Sequence, residues 1–336
     1  MRLKNLFKMG LGAVEGNVLR QRIPLNVMLS VTNRCISKCN YCNIPNRKQK
    51  ELSTKEIFNL IDEITKMGAQ RIGLWGGEPL IREDIGDIID YAKGKGLFVT
   101  LDSNGYLLES KMFRLNQLDH LILSLDGPEK MHDSNRGEGG FVNVMNAIKF
   151  IKGKINFWTV TVLTKNNLEG INFVLETASK YGFLASFQIL HHNEIMGRNL
   201  DSLKPQDELY KKTIKKLIFK KKNGAPISSS FSYLYHLLNW QDYGKTTLDC
   251  KVDNLKCWAG DLFCNVDTDG SVYPCSLMVG KSKALNYLDV GFKKAFNHCT
   301  KDSCQACVAA CFTEYNYLYS FNIKTIKEWI KAMYWS

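Results

Sequence analysis

The stretch that decides the fold is Thr32-Asn33-Arg34-Cys35-Ile36-Ser37-Lys38-Cys39-Asn40-Tyr41-Cys42, which follows the apolar run Leu25 to Val31. Three thiolates this close in sequence can hold three irons of a [4Fe–4S] cube and leave the fourth iron without a protein ligand. Ferredoxin runs differ because a fourth Cys closes their clusters, which only carry electrons. Zinc is the alternative, but it prefers paired C-x2-C knuckles and a fourth nearby ligand, and the next Cys or His lies far along the chain.

Strand-like and helix-like segments alternate after this loop. The box Ser53-x-x-Glu56 predicts the start of the first helix, and Gly68 its end. Six strands separated by single helices predict an α/β fold with a partial (β/α)6 parallel barrel, too few units for a closed eightfold barrel. In such barrels the chemistry lies at the carboxyl ends of the strands. The predicted strands are Leu25–Val31, Arg71–Trp75, Phe98–Leu101, His120–Leu125, Asn156–Leu163 and Ala185–Leu190; the predicted helices begin at Ser53, Ile85, Leu107, Phe141, Leu168 and Glu208.

Composition excludes several classes of protein. The 336 residues are 45% hydrophobic, which supports a sizeable core. We see no apolar stretch of transmembrane length and no signal peptide, and the cysteine pattern favours a reducing cytosol, so we expect a cytoplasmic protein. The net charge of +12 suits an anionic metabolite, an acidic peptide or an anionic membrane surface. We do not expect nucleic acid, because the lysine runs between 211 and 222 are not interleaved with aromatic residues.

Residues 1–24 form a basic amphipathic segment. Leu6, Phe7, Leu11 and Val14 recur at helical spacing beside lysines. A helix that packs across the barrel is the simpler expectation. Peripheral contact with a membrane is the alternative, because such anchors also combine basic and apolar faces.

Short polar motifs follow the next strands. Each alone has an ordinary explanation: a β-turn, a capping serine or a surface arginine. In this order, and with the aromatic Tyr41 before the last Cys of the triplet, they resemble the radical S-adenosylmethionine (SAM) superfamily. The motifs are Gly76-Gly77-Glu78-Pro79, Asp102-Ser103-Asn104-Gly105, Ser124-Leu125-Asp126-Gly127 and Asn135-Arg136-Gly137.

The resemblance implies two cofactors and their ligands. Cys35, Cys39 and Cys42 would bind a [4Fe–4S] cluster that reductively cleaves SAM, and the resulting 5′-deoxyadenosyl radical would abstract hydrogen from the substrate. A flavodoxin or ferredoxin would supply the electron. Arg136 is similar to the arginine that pairs with the SAM carboxylate, a task suited to its planar fork. The implied SAM contacts are Tyr41, Gly76, Gly77, Glu78, Pro79, Asn104, Ser124 and Arg136.

A second cysteine pattern fills residues 250–311. Asp269-Gly270 between β-rich arms predicts a hairpin with a two-residue turn, which would place Cys264 opposite Cys275. The region resembles the SPASM/twitch extensions that bind auxiliary [4Fe–4S] clusters, although three rather than five residues separate Cys307 from Cys311. A zinc ribbon and the number of clusters stay open. The implied ligands are Cys257, Cys264, Cys275, Cys304, Cys307 and Cys311, with Cys250 and Cys299 as further candidates.

The domain prediction is therefore an N-terminal segment 1–24, a radical SAM barrel 25–225 and an auxiliary-cluster region 226–336. We expect an enzyme that modifies a peptide or protein side chain or a functionalised metabolite. A radical SAM enzyme acting on a lipid or sugar is the alternative, and a non-enzymatic iron–sulfur carrier or scaffold is the alternative from another class. The sequence identifies neither the catalytic acid or base, nor the substrate, the reaction outcome, the fate of SAM or the oligomeric state.

Overall fold

A computed structural model describes residues 3–333; residues 1–2 and 334–336 of the two predicted terminal segments lie outside it. Six consecutive strands pair in parallel, each with the next. The predicted partial barrel is confirmed. These strands are β1 (Asn26–Thr32), β2 (Arg71–Gly76), β3 (Phe98–Ser103), β4 (His120–Ser124), β5 (Phe157–Leu163) and β6 (Leu184–Ile189).

Helices cover the outer face of these strands and bury their apolar sides. The predicted capping box begins the second helix: the Ser53 amide donates to Glu56 Oε2 at 2.7 Å, and the Glu56 amide donates to Ser53 Oγ at 3.3 Å. The helices up to the end of the barrel are α1 (Leu3–Val18), α2 (Thr54–Lys66), α3 (Ile85–Gly94), α4 (Leu108–Lys111), α5 (Glu129–Arg136), α6 (Gly140–Ile151), α7 (Ile171–Tyr181), α8 (Leu200–Leu203) and α9 (Asp207–Lys222).

Helices α4 and α5 differ from the sequence prediction. The helix predicted to begin at Leu107 is the short α4 followed by a 3-10 turn. Helix α5 has no counterpart in the prediction, because its buried side chains are the polar His132, Asn135 and Arg136 and it therefore lacks a hydrophobic period. This polar helix brings Arg136 to the carboxyl edge of the sheet.

The C-terminal region extends the same sheet. Strand β8 (Phe263–Val266) pairs in parallel with β1, with Val27 opposite Cys264. With β9 (Ser271–Tyr273) and β10 (Leu285–Asn286), the sheet described in residues 3–333 has nine strands, in the order β10-β9-β8-β1-β2-β3-β4-β5-β6. A separate two-stranded sheet joins β7 (Thr247–Leu248) and β11 (Ala306–Cys307). The C-terminal elements are α10 (Phe231–Leu238), β7 (Thr247–Leu248), β8 (Phe263–Val266), β9 (Ser271–Tyr273), β10 (Leu285–Asn286), α11 (Tyr287–Val290), α12 (Phe292–His298), β11 (Ala306–Cys307), α13 (Ala310–Tyr319) and α14 (Ile323–Met333).

The β8–β9 hairpin has a different register from the predicted one. Val266 pairs with Val272, and the Asp267 amide donates to the Ser271 carbonyl at 2.9 Å, which leaves a three-residue loop. Gly270 lies in the left-handed region with φ +92°, as the last residue of such loops commonly does. The prediction that Cys264 faces Cys275 is therefore wrong, because a shift of one residue moves a side chain to the other face of the sheet.

The inner face of the barrel is open. Along β2 to β6 the outward residues are almost fully buried, whereas inward residues near the carboxyl ends stay partly accessible. We call this open interior the lumen. Its partly accessible side chains include Trp75, Asp102, Ile122, Ser124, Trp158, Val160, Ser186 and Gln188.

Helix α1 packs across the barrel at the opposite end from the cysteine loop, as the simpler expectation had it. Asn5 Nδ2 donates to the carbonyls of Gln70 at 3.3 Å and Gly96 at 3.0 Å, both of which lie just before barrel strands. Asn17 Nδ2 donates to the Tyr319 carbonyl at 2.8 Å. Within residues 3–333, no helix has both the length and the apolar character needed to cross a membrane.

Candidate active site

The cysteine loop lies at the carboxyl end of β1, held between α5 and the segment that follows β6. Ser37 Oγ lies 3.3 Å from Cys39 Sγ and donates to the Arg136 carbonyl at 2.9 Å. On the other side, Cys42 forms a β-bridge with Gly197. Contacts with Arg136 and Gly197, 99 and 155 positions further along the chain, therefore fix the loop. Local backbone propensity alone would not hold it in this conformation.

The three thiols of this loop lie close enough to influence one another. Burial raises the pKa of Cys35 to about 11, and the thiols of Cys39 and Cys42 add to that rise. Burial likewise raises the pKa of Cys42 to about 11, with a further contribution from Cys39. Thiols with such pKa values stay protonated near neutral pH until a metal replaces the protons.

The glycines of the Gly76–Pro79 motif allow its loop to touch the cysteine loop. Gly76 has φ +136°, and a Cβ there would lie 2.3 Å from the Thr32 carbonyl oxygen. A Cβ on Gly77 would lie 2.2 Å from the Arg34 carbonyl oxygen. Any larger residue would push the two loops apart, so both glycines are needed for this approach.

Glu78 joins the loops after β2 and β3. Its fully buried carboxylate accepts from the Asn104 amide at 2.7 Å, Ser103 Oγ at 3.0 Å and the Leu80 amide at 3.1 Å. Burial raises the pKa of Glu78 to about 7 against the effect of these donors. The carboxylate thus serves as a bridge within the chain, and direct contact of Glu78 with SAM stays a prediction.

Two further predicted contacts lie at the same edge. Asn104 Nδ2 lies 3.7 Å from Cys35 Sγ, which brings the β3 loop against the cysteine loop. Ser124 ends β4 and is half-buried at the mouth of the lumen. The structure therefore places the loops after β1, β2, β3 and β4 around one opening.

Arg136 has a partner that the sequence reasoning missed. Its Nε lies 2.8 Å from Asp126 Oδ2 and its Nη2 3.1 Å from Oδ1, and both side chains are buried. The guanidinium also lies over the Tyr41 ring at 5.6 Å. The Asp of the S-x-D-G element is the signal that could have revealed this pair. Pairing of Arg136 with the SAM carboxylate stays a prediction, since Asp126 already occupies two of its donor directions.

The lumen contains two reactive groups beneath these loops, a carboxyl and a thiol. Asp102 points inward from β3, two residues before Asn104, and its carboxylate has no hydrogen-bond or ion-pair partner in residues 3–333. Burial raises the pKa of Asp102 to about 6, although Arg71 acts in the opposite direction. Cys311, on the first turn of α13, is accessible from the lumen; burial and Asp102 together raise its pKa to about 12. Strand alternation from Asn104 would have identified Asp102.

Arg71 is a buried cation at the base of the lumen. Its guanidinium donates to Asn26 Oδ1 at 2.7 Å and to Thr100 Oγ1 at 2.6 Å and lies over the Tyr315 ring at 5.6 Å. Within the described part of the chain, no carboxylate lies within 4.0 Å of it. Nearby, Asn265 accepts from Trp75 Nε1 at 3.1 Å while its own amide nitrogen is buried and unpaired among the described residues.

The C-terminal cysteines separate into groups. Burial raises the pKa of Cys275, and the thiols of Cys307, Cys257 and Cys304 raise it further. These four, here called the four-thiol group, belong to one apolar cluster. Cys264 and Cys299 are buried in a different cluster, Cys311 lies in the lumen, and Cys250 is exposed. The structure thus separates Cys264 and Cys311 from the other four predicted ligands.

Comparison with known proteins agrees with this geometry. A family model described as the radical SAM superfamily matches residues 29–178. The mycofactocin maturase MftC of Mycolicibacterium smegmatis is 27% identical over 289 residues, which cover 82% of this chain and 70% of that protein. The AdoMet-dependent heme synthase of Methanosarcina barkeri is 27% identical over 272 residues, 76% of this chain and 77% of that protein.

This chain contains a radical SAM domain. The crystal structure of Streptococcus suis SuiB bound to S-adenosylmethionine has the same fold, with a TM-score of 0.65 at 15% identity over 82% of this chain and 66% of SuiB. The prediction of an enzyme is confirmed, and the alternative of a non-enzymatic iron–sulfur carrier is wrong. The cofactors of a radical SAM enzyme are a [4Fe–4S] cluster and SAM, as the sequence predicted.

The residues of this radical SAM enzyme fit those cofactors. The cysteine loop offers three thiols to the cluster, and no fourth cysteine of the described chain joins them, which would leave one iron free for SAM. The glycines of the Gly76–Pro79 loop let that loop pack directly against the backbone of the cysteine loop. Among residues 3–333, no three His, Cys, Asp or Glu side chains are positioned to hold a single metal ion. A four-iron cluster spreads its ligands over separate irons, so it suits more widely spaced thiols.

Proposed function

We propose that this radical SAM enzyme abstracts a hydrogen atom from a side chain of a peptide or protein substrate. The observation that carries the proposal is the position of the four-thiol group. It packs in the same apolar cluster as Met28 and Trp75, which line the lumen. A redox group held there would lie beside the substrate chamber and could accept an electron from the substrate radical.

We propose that the four-thiol group binds one auxiliary [4Fe–4S] cluster. Lys301 supports an anionic cluster there, since its Nζ donates to the Cys257 carbonyl at 2.8 Å. Burial raises the pKa of Cys257, whereas the positive charge of Lys301 lowers it and so favours the thiolate. Cys264 and Cys299 are not ligands in this proposal, because both pack in the other core cluster.

Names of relatives support a peptide substrate. MftC is called a maturase, and SuiB has been solved with its precursor peptide SuiA. The identities of 27% and 14% are low, so the support lies in the shared fold rather than in matched substrate contacts.

The chain's own groups would divide the work as follows. Cys35, Cys39 and Cys42 would hold the cluster, which together with SAM supplies a 5′-deoxyadenosyl radical when both are bound. The loops after β2 to β4 would orient SAM over the lumen and exclude water. In the lumen, the Asp102 carboxylate would take a proton from an O–H or N–H of the substrate. Arg71 would favour the ionised form of this carboxylate.

A small-molecule substrate is the second candidate. The AdoMet-dependent heme synthase relative is as similar in sequence as MftC. The polar lumen, with Asp102, Arg71 and the unpaired Asn265 amide, would also suit a functionalised metabolite, a sugar or a lipid headgroup.

We further propose a flavodoxin or ferredoxin as electron donor and a cytoplasmic location. The net charge of +12 suits a negatively charged protein partner. All eleven cysteines are free thiols, which is the usual state in a reducing compartment.

The proposal can be tested with anaerobically reconstituted protein, SAM and dithionite. Short peptides encoded beside the gene should be converted to products of altered mass, and 5′-deoxyadenosine should form in step with them. A matched peptide with the modified residue changed to alanine should give no product. If only a sugar, lipid or tetrapyrrole is converted, the second candidate replaces the first.

A further inference from the structure

Helix α1 has two apolar faces. One is buried against the barrel: Met9 and Ala13 are 7% and 2% exposed. Gly12 and Gly16 lie on the same face, where a Cβ would come within 2.5 Å of Leu25 and 2.6 Å of Leu262. This face explains how the helix is anchored, and a helix that only covers a barrel needs no other apolar side.

The opposite face is exposed and apolar. Phe7, Leu11, Val14 and Val18 are 74%, 50%, 43% and 71% exposed. At about 100° per residue, their spacing aligns them in one stripe about half a turn away from Met9 and roughly 16 Å long. We call these four residues the exposed stripe. Four large apolar side chains in a row on a helix differ from the scattered apolar residues of an ordinary surface.

The charges beside the exposed stripe are mainly positive. Lys4 and Lys8 are exposed within one turn of Phe7 and Leu11, and Glu15 is the acidic residue of α1. The whole chain carries a net charge of +12. A positive surface beside an apolar stripe complements an anionic lipid headgroup layer above acyl chains.

We propose that the exposed stripe inserts into the surface of an anionic membrane while the opposite face of α1 holds the enzyme. Membrane binding through α1 would be independent of the reaction and of its substrate. A second copy of the chain is a poorer occupant, since four side chains on one helix cover far less than the roughly 1,200–2,000 Å² that a stable protein–protein interface buries. A bilayer requires no matched shape, and a short stripe suffices for reversible binding.

Vesicle co-sedimentation of the full-length protein tests the proposal. We expect binding to vesicles of phosphatidylcholine with phosphatidylglycerol and weak binding to phosphatidylcholine alone. The double variant Phe7→Ser, Leu11→Ser should bind the anionic vesicles at least about tenfold more weakly, because the apolar area that enters the bilayer is lost. Lys4→Gln, Lys8→Gln should weaken binding at low salt and remove much of its salt dependence.

The matched control is Phe113→Ser, Phe219→Ser, which changes two phenylalanines that are 67% and 68% exposed elsewhere on the surface. It should bind vesicles like the wild type. Equal loss in this control, or no vesicle binding by the wild type, would overturn the proposal. So would a wild-type dimer in analytical ultracentrifugation that Phe7→Ser, Leu11→Ser converts to a monomer, since a second copy would then cover the stripe. Unchanged circular dichroism of each variant excludes misfolding as the cause.

Discussion

Asp126 and Arg136 form a buried two-point ion pair across the loop after β4. The guanidinium meets both carboxylate oxygens, at 2.8 and 3.1 Å, and Asp126 Oδ1 also accepts from the Val162 amide at 2.9 Å. The pair therefore ties the end of α5 to β5. Since Ser37 donates to the Arg136 carbonyl, the same helix end supports the cysteine loop.

Replacing Arg136 by alanine should consequently destabilise the protein as well as the SAM site. Removal of one partner leaves the Asp126 carboxylate buried without its counter-charge, which typically costs about 3–5 kcal/mol. The midpoint of urea unfolding should fall accordingly. The double variant Asp126→Ala, Arg136→Ala should lose less than the sum of the single variants, because no unpaired charge remains. If Arg136→Ala lowers the free energy of unfolding by less than about 1 kcal/mol but weakens SAM binding, Arg136 serves to bind the SAM carboxylate and not to stabilise the fold.

The triple variant Cys35→Ala, Cys39→Ala, Cys42→Ala should form no 5′-deoxyadenosine from SAM and dithionite, because the thiols that would hold the SAM-cleaving cluster are gone. It should retain the iron of the proposed auxiliary cluster, whose four thiols lie in a separate apolar cluster. Cys250→Ala, at an exposed position, is the control and should cleave SAM like the wild type. SAM cleavage by the triple variant would contradict the assignment.

Local signals in the sequence were sufficient for the barrel strands but not for all of the fold. Apolar runs bounded by glycine and polar residues identify β1 to β6. Helix α5 could not be predicted, because it buries Arg136 and other polar side chains through tertiary contacts and so shows no apolar period in the sequence. The pairing of β8 with β1 places Cys264 beside Val27, and no short-range sequence pattern predicts such a contact.

The site divides in the same way. The cysteine loop and the Gly76–Pro79 loop could be found because their residue types and spacing carry the chemistry. The grouping of the C-terminal cysteines could not, because it depends on the hairpin register. The β8–β9 loop has three residues instead of the predicted two, so Cys264 and Cys275 do not face each other. Cys264 packs in the main core of the barrel, whereas Cys275 packs in the cluster that contains the four-thiol group.

Iron analysis of two matched variants tests this grouping. Cys257→Ala, Cys275→Ala, Cys304→Ala, Cys307→Ala should lose about four irons and four sulfides per chain, the content of one [4Fe–4S] cluster. Cys264→Ala, Cys299→Ala should keep them. Loss of the same iron from the second variant would restore Cys264 as a ligand. One zinc per chain in place of the additional iron would favour a zinc ribbon.

Glu314 should make stability depend on pH. It is buried on α13, where one carboxylate oxygen accepts from the Ser230 amide at 2.7 Å and the other is unpaired among the described residues. Burial raises the pKa of Glu314 to about 7, above its value of about 4.5 in the unfolded chain. The folded state thus holds the proton more tightly, so its stability falls as pH rises from about 4.5 and levels off above about 7.

Glu314→Gln removes the ionisable group and keeps an oxygen for the Ser230 amide. At pH 8 it should be more stable than the wild type, by up to about 3 kcal/mol, and the difference should shrink towards pH 5. Thermal unfolding at both pH values measures this. Glu208→Gln, at an exposed position, should show no such dependence. A variant less stable than the wild type at pH 8 would show that the carboxylate stabilises this site.

Asp102→Asn should separate SAM cleavage from product formation. The carboxylate lies in the lumen without a partner in residues 3–333, so its loss breaks no contact that orders the cysteine loop. Because an amide cannot accept the substrate proton, product per 5′-deoxyadenosine should fall at least about tenfold. In the wild type this ratio should also fall as pH drops through about 6, the raised pKa of Asp102, since protonation removes the base. The Asp102→Asn variant should lack this fall at acidic pH, and Asp102→Glu should restore part of the product formed per 5′-deoxyadenosine.

Mass spectrometry of the product and of 5′-deoxyadenosine between pH 5 and 8 measures these ratios. Equal loss of 5′-deoxyadenosine and product would assign Asp102 to the binding of SAM instead of to proton transfer.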